Sequence, residues 1–261
     1  MVSRTLSIGA FPSSNLSEVP ATMIKAIGLG KKRAGMTREQ AQQYHINHHA
    51  PLGKRVAGPL GLSRYVGYYP QLATNIAGEV LADVPWDFIV PEWYTEELYN
   101  NFEHWRSNDP DGIAIVEDEK RFCDHANGYL LLCDVNVIVP DSGKTGVNIF
   151  FGAKRKPGLT PRDHHDKHRT LIGPWAKRVY GDALLDYTAY YIHEAHNLER
   201  GRVDEAPYDV MVQARFDEAA MANMSEWMAR PDVVELLEEE SKFMDTGTLV
   251  SMVCTYHPYI V

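Results

Sequence analysis

The stretch from Ala34 to Leu52, AGMTREQAQQYHINHHAPL, holds three histidines within five positions and returns, altered, from Pro157 to Trp175 as PGLTPRDHHDKHRTLIGPW. Gly35, Thr37, His45 and Pro51 reappear as Gly158, Thr160, His168 and Pro174, each 123 positions further on. GKRV from Gly53 becomes AKRV from Ala176, and after a one-residue deletion LSRYVGYY from Leu62 becomes LLDYTAYY from Leu184. PWD from Pro85 becomes PYD from Pro207, and the helix-like run ending in Trp105 returns in the run ending in Trp227. A spacing held over the length of a domain marks a duplication.

Local signals give each copy the same order of elements. Thr22 to Gly30 is a short apolar run ending in glycine, as a buried strand would be. Thr37 to Gln40 spells a capping box, so a helix runs from about Arg38 to Pro51. Ala41, Tyr44, His45, His48 and Leu52 follow the spacing of one helix face, and His49 lies four from His45, so all three histidines are expected to face the sheet. Strands follow at Tyr65 to Tyr69 and Trp86 to Trp93, then a broken helical stretch from Thr95 to Arg121 and a strand at Tyr129 to Val139. The second copy gives strands at Val147 to Ala153, Leu184 to His193, Tyr208 to Phe216 and Thr248 to Tyr256. Its helices are capped by Thr160 and Asp217, the latter running to about Lys242. The fold class is therefore α+β, with two tandem ferredoxin-like (βαββαβ) units. Each would leave one sheet face bare, and burying those faces together closes an eight-stranded antiparallel barrel within one chain. Residues 1–20 are expected to form an N-terminal extension on the surface, 21–140 the first unit and 141–261 the second, linked by the turn-forming PDSGKTG at Pro140 to Gly146.

Composition narrows the partners. With 261 residues and 44% apolar content the chain can bury a substantial core. A formal charge of −9 argues against phosphate backbones and anionic lipid, so neither nucleic acid nor membrane is expected as a partner. No run approaches the roughly 18 apolar residues of a spanning helix. Three cysteines without a C-x-x-C pair suit a reducing compartment, and the N-terminus is a poor secretory signal, so a cytoplasmic location is expected. An internal barrel removes the need for a homodimer without forbidding one.

KKRAGMT from Lys31, followed by YHINHHAPL from Tyr44, resembles the EthD family of the dimeric α/β-barrel superfamily. His49, Ala50, Pro51 and Leu52 match the family's His two residues before Pro-Leu, and DEKRFCD from Asp118 to Asp124 looks like its Asp-Glu-x-x-Phe element. In the second copy Ala34 becomes the more typical Pro157, but His49 becomes Ile172. The resemblance implies a pocket between the sheet and its covering helices. It also implies cofactor-free chemistry such as dehydration or decarboxylation of polyketides; the wider superfamily includes isomerases, cofactor-free monooxygenases and some haem enzymes.

Histidines exchange protons near neutral pH, which makes His49, and with it His45, His48 and the strand residue Tyr69, the candidate acid-base group. Tyr44, Tyr65, Trp86, Asp124, His125, His164 and His168 are the candidate substrate contacts. Tyr65 and Tyr69 should share one strand face while Tyr68 takes the other. The recurring Asp87 and Asp209 can hold a loop as easily as orient a histidine. His164 and His168 have a spacing that can meet one metal, but no third ligand is placed nearby and the Glu of H-E-x-x-H is missing, so no metal is expected. Neither a phosphate loop nor a Rossmann glycine pattern appears, so no nucleotide cofactor is expected. The expected activity is a cofactor-independent lyase acting on an apolar, aromatic or polyketide-like small molecule. A cofactor-free monooxygenase or isomerase, and a non-catalytic carrier of hydrophobic small molecules, are the alternatives.

Overall fold

The computed structural model describes residues 23–223, 226 and 229–260. The expected surface extension at residues 1–20 and the repeat at Trp227 lie outside the described residues. The first half runs β1 (Ile24–Gly30), α1 (Arg38–Tyr44), a π-helical turn (His45–His49), α2 (Ala50–Ala57), β2 (Leu62–Asn75), β3 (Phe88–Tyr94), α3 (Glu96–Asn100), α4 (Phe102–Asn108), α5 (Pro110–Phe122) and β4 (Tyr129–Val139). The second runs β5 (Val147–Arg155), α6 (Pro161–Lys167), a π-helical turn (His168–Ile172), α7 (Gly173–Tyr180), β6 (Leu184–Asn197), β7 (Gly201–Val203), β8 (Val210–Phe216), α8 (Glu218–Ala222), α9 (Pro231–Glu240) and β9 (Met244–Ile260).

The sheet order is β4-β1-β3-β2-β9-β5-β8-β6-β7, and β4 also pairs with β6, which closes eight strands into a barrel. Every pairing is antiparallel. Each half uses the other to satisfy both of its open edges, β2 on β9 and β4 on β6. These ladders also lengthen the strands. β2 continues past Tyr69 to Asn75 because Leu72 to Asn75 pair with Val253 to Val250 of β9, a partner at the far end of the chain that local periodicity cannot register. The single helix expected from Asp217 to Lys242 is interrupted: among the described residues α8 ends at Ala222 and α9 starts at Pro231, after non-helical Ala229 and Arg230. Pro231 is the first residue of α9, where its missing amide does no harm, whereas inside a continuous helix it would clash with the preceding turn. No helix among the described residues is long and apolar enough to cross a membrane.

The barrel interior is packed with side chains from both halves, among them Tyr68, Phe150, Met211 and Met252, all essentially inaccessible to solvent. Trp86, expected to contact substrate, belongs to this interior instead. It enters just before β3, and its indole Nε1 donates to the hydroxyl of Tyr208, its own repeat equivalent, at 3.1 Å. Asp87 and Asp209 hold loops: they accept from the amides of Lys32 and Arg155, each at 2.8 Å, and pair with Arg38 and Arg155. The helices cover the outside of the half-sheets, where Tyr65 and Tyr69 face them while Tyr68 points inward.

Because the two sheets share this single interior, removing a large side chain there leaves a void lined by both halves. Phe150→Ala is expected to lower unfolding stability by about 3–5 kcal/mol, read as a lower midpoint in a denaturant titration of the whole chain.

Candidate active site

A cavity of about 460 Å³ lies between the outer face of the first half-sheet and its helices, within the usual range for small-molecule sites. Strand alternation puts Phe88, Val90, Glu92 and Tyr94 of β3 on that face. The π turn adds His45 and His49, and α4 and α5 add Arg106, Glu119 and Phe122. The rim is completed by the second half, whose β6–β7 hairpin brings His196, Asn197 and Leu198 over the opening.

The capping box expected at Thr37 is present, with the Thr37 hydroxyl accepting from the Gln40 amide and the Gln40 side chain accepting from the Thr37 amide. α1 then passes into the π turn, where the wider repeat brings residues four and five apart into register. His45 and His49 therefore lie over each other, with ring centroids 5.4 Å apart, both buried. His49 Nδ1 donates to Asp118 Oδ2 at 3.0 Å, and the other carboxylate oxygen accepts from the Tyr44 hydroxyl at 2.7 Å. His45 is gripped at both nitrogens, Nδ1 by the Tyr69 hydroxyl at 2.8 Å and Nε2 by the Tyr65 hydroxyl at 3.1 Å. The Tyr69 hydroxyl also bonds the hydroxyl of Tyr259, on β9.

The charged groups divide into two kinds. Glu119 is paired bidentately with Arg106, at 3.1 and 2.6 Å, and has His125 Nε2 at 3.4 Å. Burial would raise its carboxyl, but Arg106, His125 and His49 together hold it well below the usual range. Asp118 is held low by the hydrogen bond from His49 and, against burial, by that from Tyr44. Glu92 behaves oppositely. Burial pushes it up to about 7, only partly countered by the bond it accepts from Tyr94, so it carries a proton below neutrality. Burial also pushes His45 well below its ordinary value, and His49 adds to the effect, so His45 is neutral.

The structure brings His45, His49, Tyr65 and Tyr69 together, with Tyr44 behind Asp118 and His125 behind Glu119. It does not bring the others. His48 is exposed and packs its ring against Tyr44 at 4.9 Å, because the π turn rotates it off the face occupied by His45 and His49. Asp124 caps a turn, accepting from the Ala126 amide and the Asn127 side chain. His164 and His168 are buried in the second half, where His168 repeats the His45 arrangement with Tyr191 at 3.2 Å and Tyr187 at 3.5 Å. Glu92, Tyr94, Arg106, Glu119 and Tyr259 contribute to the site without having been singled out in the sequence. For Glu119 a signal existed in the Asp-Glu-x-x-Phe element, whose first two residues hold His49 and Arg106. The others are ordinary polar or aromatic positions until the fold gathers them.

Fold and site together define a closed eight-stranded antiparallel α+β barrel, with both halves supplied by one chain and a small-molecule-sized cavity under the first set of helices. Residues 33–126 match the model of the EthD domain. Across the whole chain the structure is similar to that of an anthrone oxidase-like protein, with 9% identity, 92% of this chain and 94% of that one covered, and a TM-score of 0.53. A putative monooxygenase from Lactobacillus acidophilus NCFM (8% identity, 90% and 94% covered, TM-score 0.45) and a mutant chlorite dismutase from Candidatus Nitrospira defluvii (8%, 92% and 93%, 0.49) also align. No curated protein matches the sequence.

Three buried histidines carry a pH prediction. His45 lies well below its ordinary value, His164 is lowered to about 4 and His168 to about 3, all chiefly by burial. In the unfolded chain each titrates near ~6.5. Between those limits the unfolded state binds more protons, so stability rises with pH across the window and is lost on acidification. The denaturation midpoint is expected to fall steadily from about pH 7 to about pH 4, with a shallower slope in His168→Gln.

Proposed function

We propose that the protein is a lyase that uses its own side chains to remove a proton next to a carbonyl of an aromatic or polyketide-like small molecule and then to expel water or a similarly small group. One observation carries this reading: a single cavity is lined by an imidazole oriented by a carboxylate and, from the sheet, by a second carboxyl that burial raises to about 7. Such pairs, pushed apart in pKa, divide naturally into base and acid.

With Nδ1–H committed to Asp118, the His49 lone pair is on Nε2, and Asp118 compensates the imidazolium that forms when that nitrogen takes a proton. The electron pair left on carbon moves toward the carbonyl, where a cavity hydroxyl such as that of Tyr65 can stabilise the developing oxyanion. Glu92 gives its proton to the departing hydroxyl, releasing water and forming the carbon–carbon double bond. Resetting the site requires one proton to leave His49 and one to return to Glu92. The apolar surfaces of Phe88, Val90 and Phe122 suit a largely hydrophobic ring system.

A cofactor-free monooxygenase is the second reading, prompted by the whole-chain similarity to an anthrone oxidase-like protein. The same base would start it, with the deprotonated substrate reacting with dioxygen instead of losing a leaving group. An oxygen electrode separates the two, since the lyase turns over unchanged in anaerobic buffer.

The test uses a panel of hydroxylated polycyclic and β-hydroxycarbonyl compounds. His49→Ala and Asp118→Asn are each expected to lower kcat/KM by about 10²–10⁴-fold. Glu92 acts while protonated, so wild-type kcat/KM should decline above about pH 7. Glu92→Gln should be slow at every pH and lack that alkaline decline. Full turnover by His49→Ala would refute the assignment.

A further inference from the structure

We propose that Tyr259, Tyr69, His45 and Tyr65 form a proton path that joins the cavity to the surface along the seam where β2 meets β9. The chain of contacts is unbroken: Tyr259 hydroxyl to Tyr69 hydroxyl, Tyr69 hydroxyl to His45 Nδ1 at 2.8 Å, and His45 Nε2 to Tyr65 hydroxyl at 3.1 Å. Tyr65 lines the cavity, and at the other end Tyr259 is half-buried with its ring 4.8 Å from that of the exposed His257. The path rests on the acid-base reading above, because it would deliver and remove the protons that reset His49 and Glu92.

The duplication supplies an internal comparison. The second half keeps His168, Tyr187 and Tyr191 in the same relation, so this trio alone is part of the scaffold. What differs is the outer link. Tyr65 pairs with Ile260 and Val66 with Pro258 across a bulge at Tyr259, while Tyr187 pairs with Val139 and Thr188 with Val137 across a bulge at Ile138. Tyr259 thus corresponds to Ile138, which packs on Gly173 and has no proton to pass. Gly67 adds a second difference. A Cβ there would come within 2.5 Å of the Tyr69 hydroxyl, so the absence of a side chain lets that hydroxyl settle between His45 and Tyr259. The matching residue in the second half is Ala189, and the His168 contacts are longer.

A neutral imidazole donates at one nitrogen and accepts at the other, as conduction through it requires. For one proton moving inward, Tyr65 gives its hydroxyl proton to a cavity acceptor and takes the proton on His45 Nε2. His45 Nδ1 takes the proton of Tyr69, Tyr69 takes that of Tyr259, and Tyr259 recovers one from solvent. Each O–H or N–H bond broken is matched by one formed, and His45 changes tautomer. An outward passage restores the original tautomer, so the one-in, one-out demand of the proposed reaction resets the path. The phenols stay neutral throughout, since burial raises Tyr69 and Tyr65 far above their ordinary value and Tyr259 to about 12.

The experiment needs no substrate. Exchange of the His45 ring N–H with solvent is followed by NMR in the wild-type chain, Tyr259→Phe, Tyr69→Phe and the double variant, with backbone amide spectra confirming the fold. The Tyr259 ring packs on those of His45 and Tyr65 at 6.0 and 5.3 Å, and Tyr259→Phe keeps that ring while removing only the hydroxyl. Links in series predict that each single variant slows exchange by about tenfold or more and that the double is no slower than either. Exchange in folded Tyr259→Phe at the wild-type rate, or additive slowing in the double, overturns the path. If Tyr259→Phe does not fold, Tyr69→Phe decides alone: slowed exchange supports the path and an unchanged rate overturns it. His49→Ala should leave exchange intact while lowering kcat/KM by about 10²–10⁴-fold, so failure of the path and failure of the lyase reading give different results.

Discussion

The arrangement of this molecule depends on the pairing of β2 with β9 and of β4 with β6. A four-stranded ferredoxin-like half exposes one apolar sheet face and two unpaired edges, and backbone amides left unpaired at a buried edge are costly. Joining the halves satisfies both edges and buries both faces in one step. The same ladders bring parts of the second half to a cavity built on the first: Tyr259 arrives through β9, and the rim of the cavity through the β6–β7 hairpin. A fragment holding only the EthD match would lack both.

Within the cavity, the electrostatics are set by which carboxylates have partners. Asp118 and Glu119 are neighbours on α5, yet one meets His49 and Tyr44 while the other meets Arg106 and His125. The buried Arg106–Glu119 pair need not add much stability, since desolvation offsets most of the attraction. Its effect is to keep Glu119 charged and fixed. Glu92 has a tyrosine hydroxyl for a partner, and with no cation in contact burial prevails and the carboxyl holds its proton. Which of the two glutamates is charged thus depends on which one Arg106 meets.

Most of the fold was legible because duplication, capping boxes and strand alternation are all local or periodic signals. Thr37 with Gln40 and Thr160 with Pro161 marked their helix starts. The pleat placed Tyr65 and Tyr69 opposite Tyr68. Sequence reasoning failed where geometry depended on something nonlocal or irregular. An ideal α-helix would set His48 beside His45 and His49, and the π turn moves it outward. Trp86 reads as a pocket aromatic, but its indole finds the Tyr208 hydroxyl inside the barrel. Glu92, Arg106 and Tyr259 carry no signal of their own, since their roles arise from burial or from partners on other elements.

The second half has hydrocarbon where the first has the polar lining of its cavity. At the position of His49 it has Ile172, and strand register places Ala214 and Phe216 where the first half has Glu92 and Tyr94. Ile172, Ala214 and Phe216 are all buried in one apolar cluster with Leu236 and Phe243. Polar groups in such a location cost free energy unless paired, so their replacement by hydrocarbon is the outcome expected where no chemistry requires them. His168 with its two tyrosines survives because that trio is already internally satisfied. By the same reasoning His45 alone is weak evidence of catalysis. What sets the first half apart is the group of His49 with Asp118, Glu92 with Tyr94, and Tyr259, each a polar side chain that an apolar residue of similar size could replace at less cost to the fold.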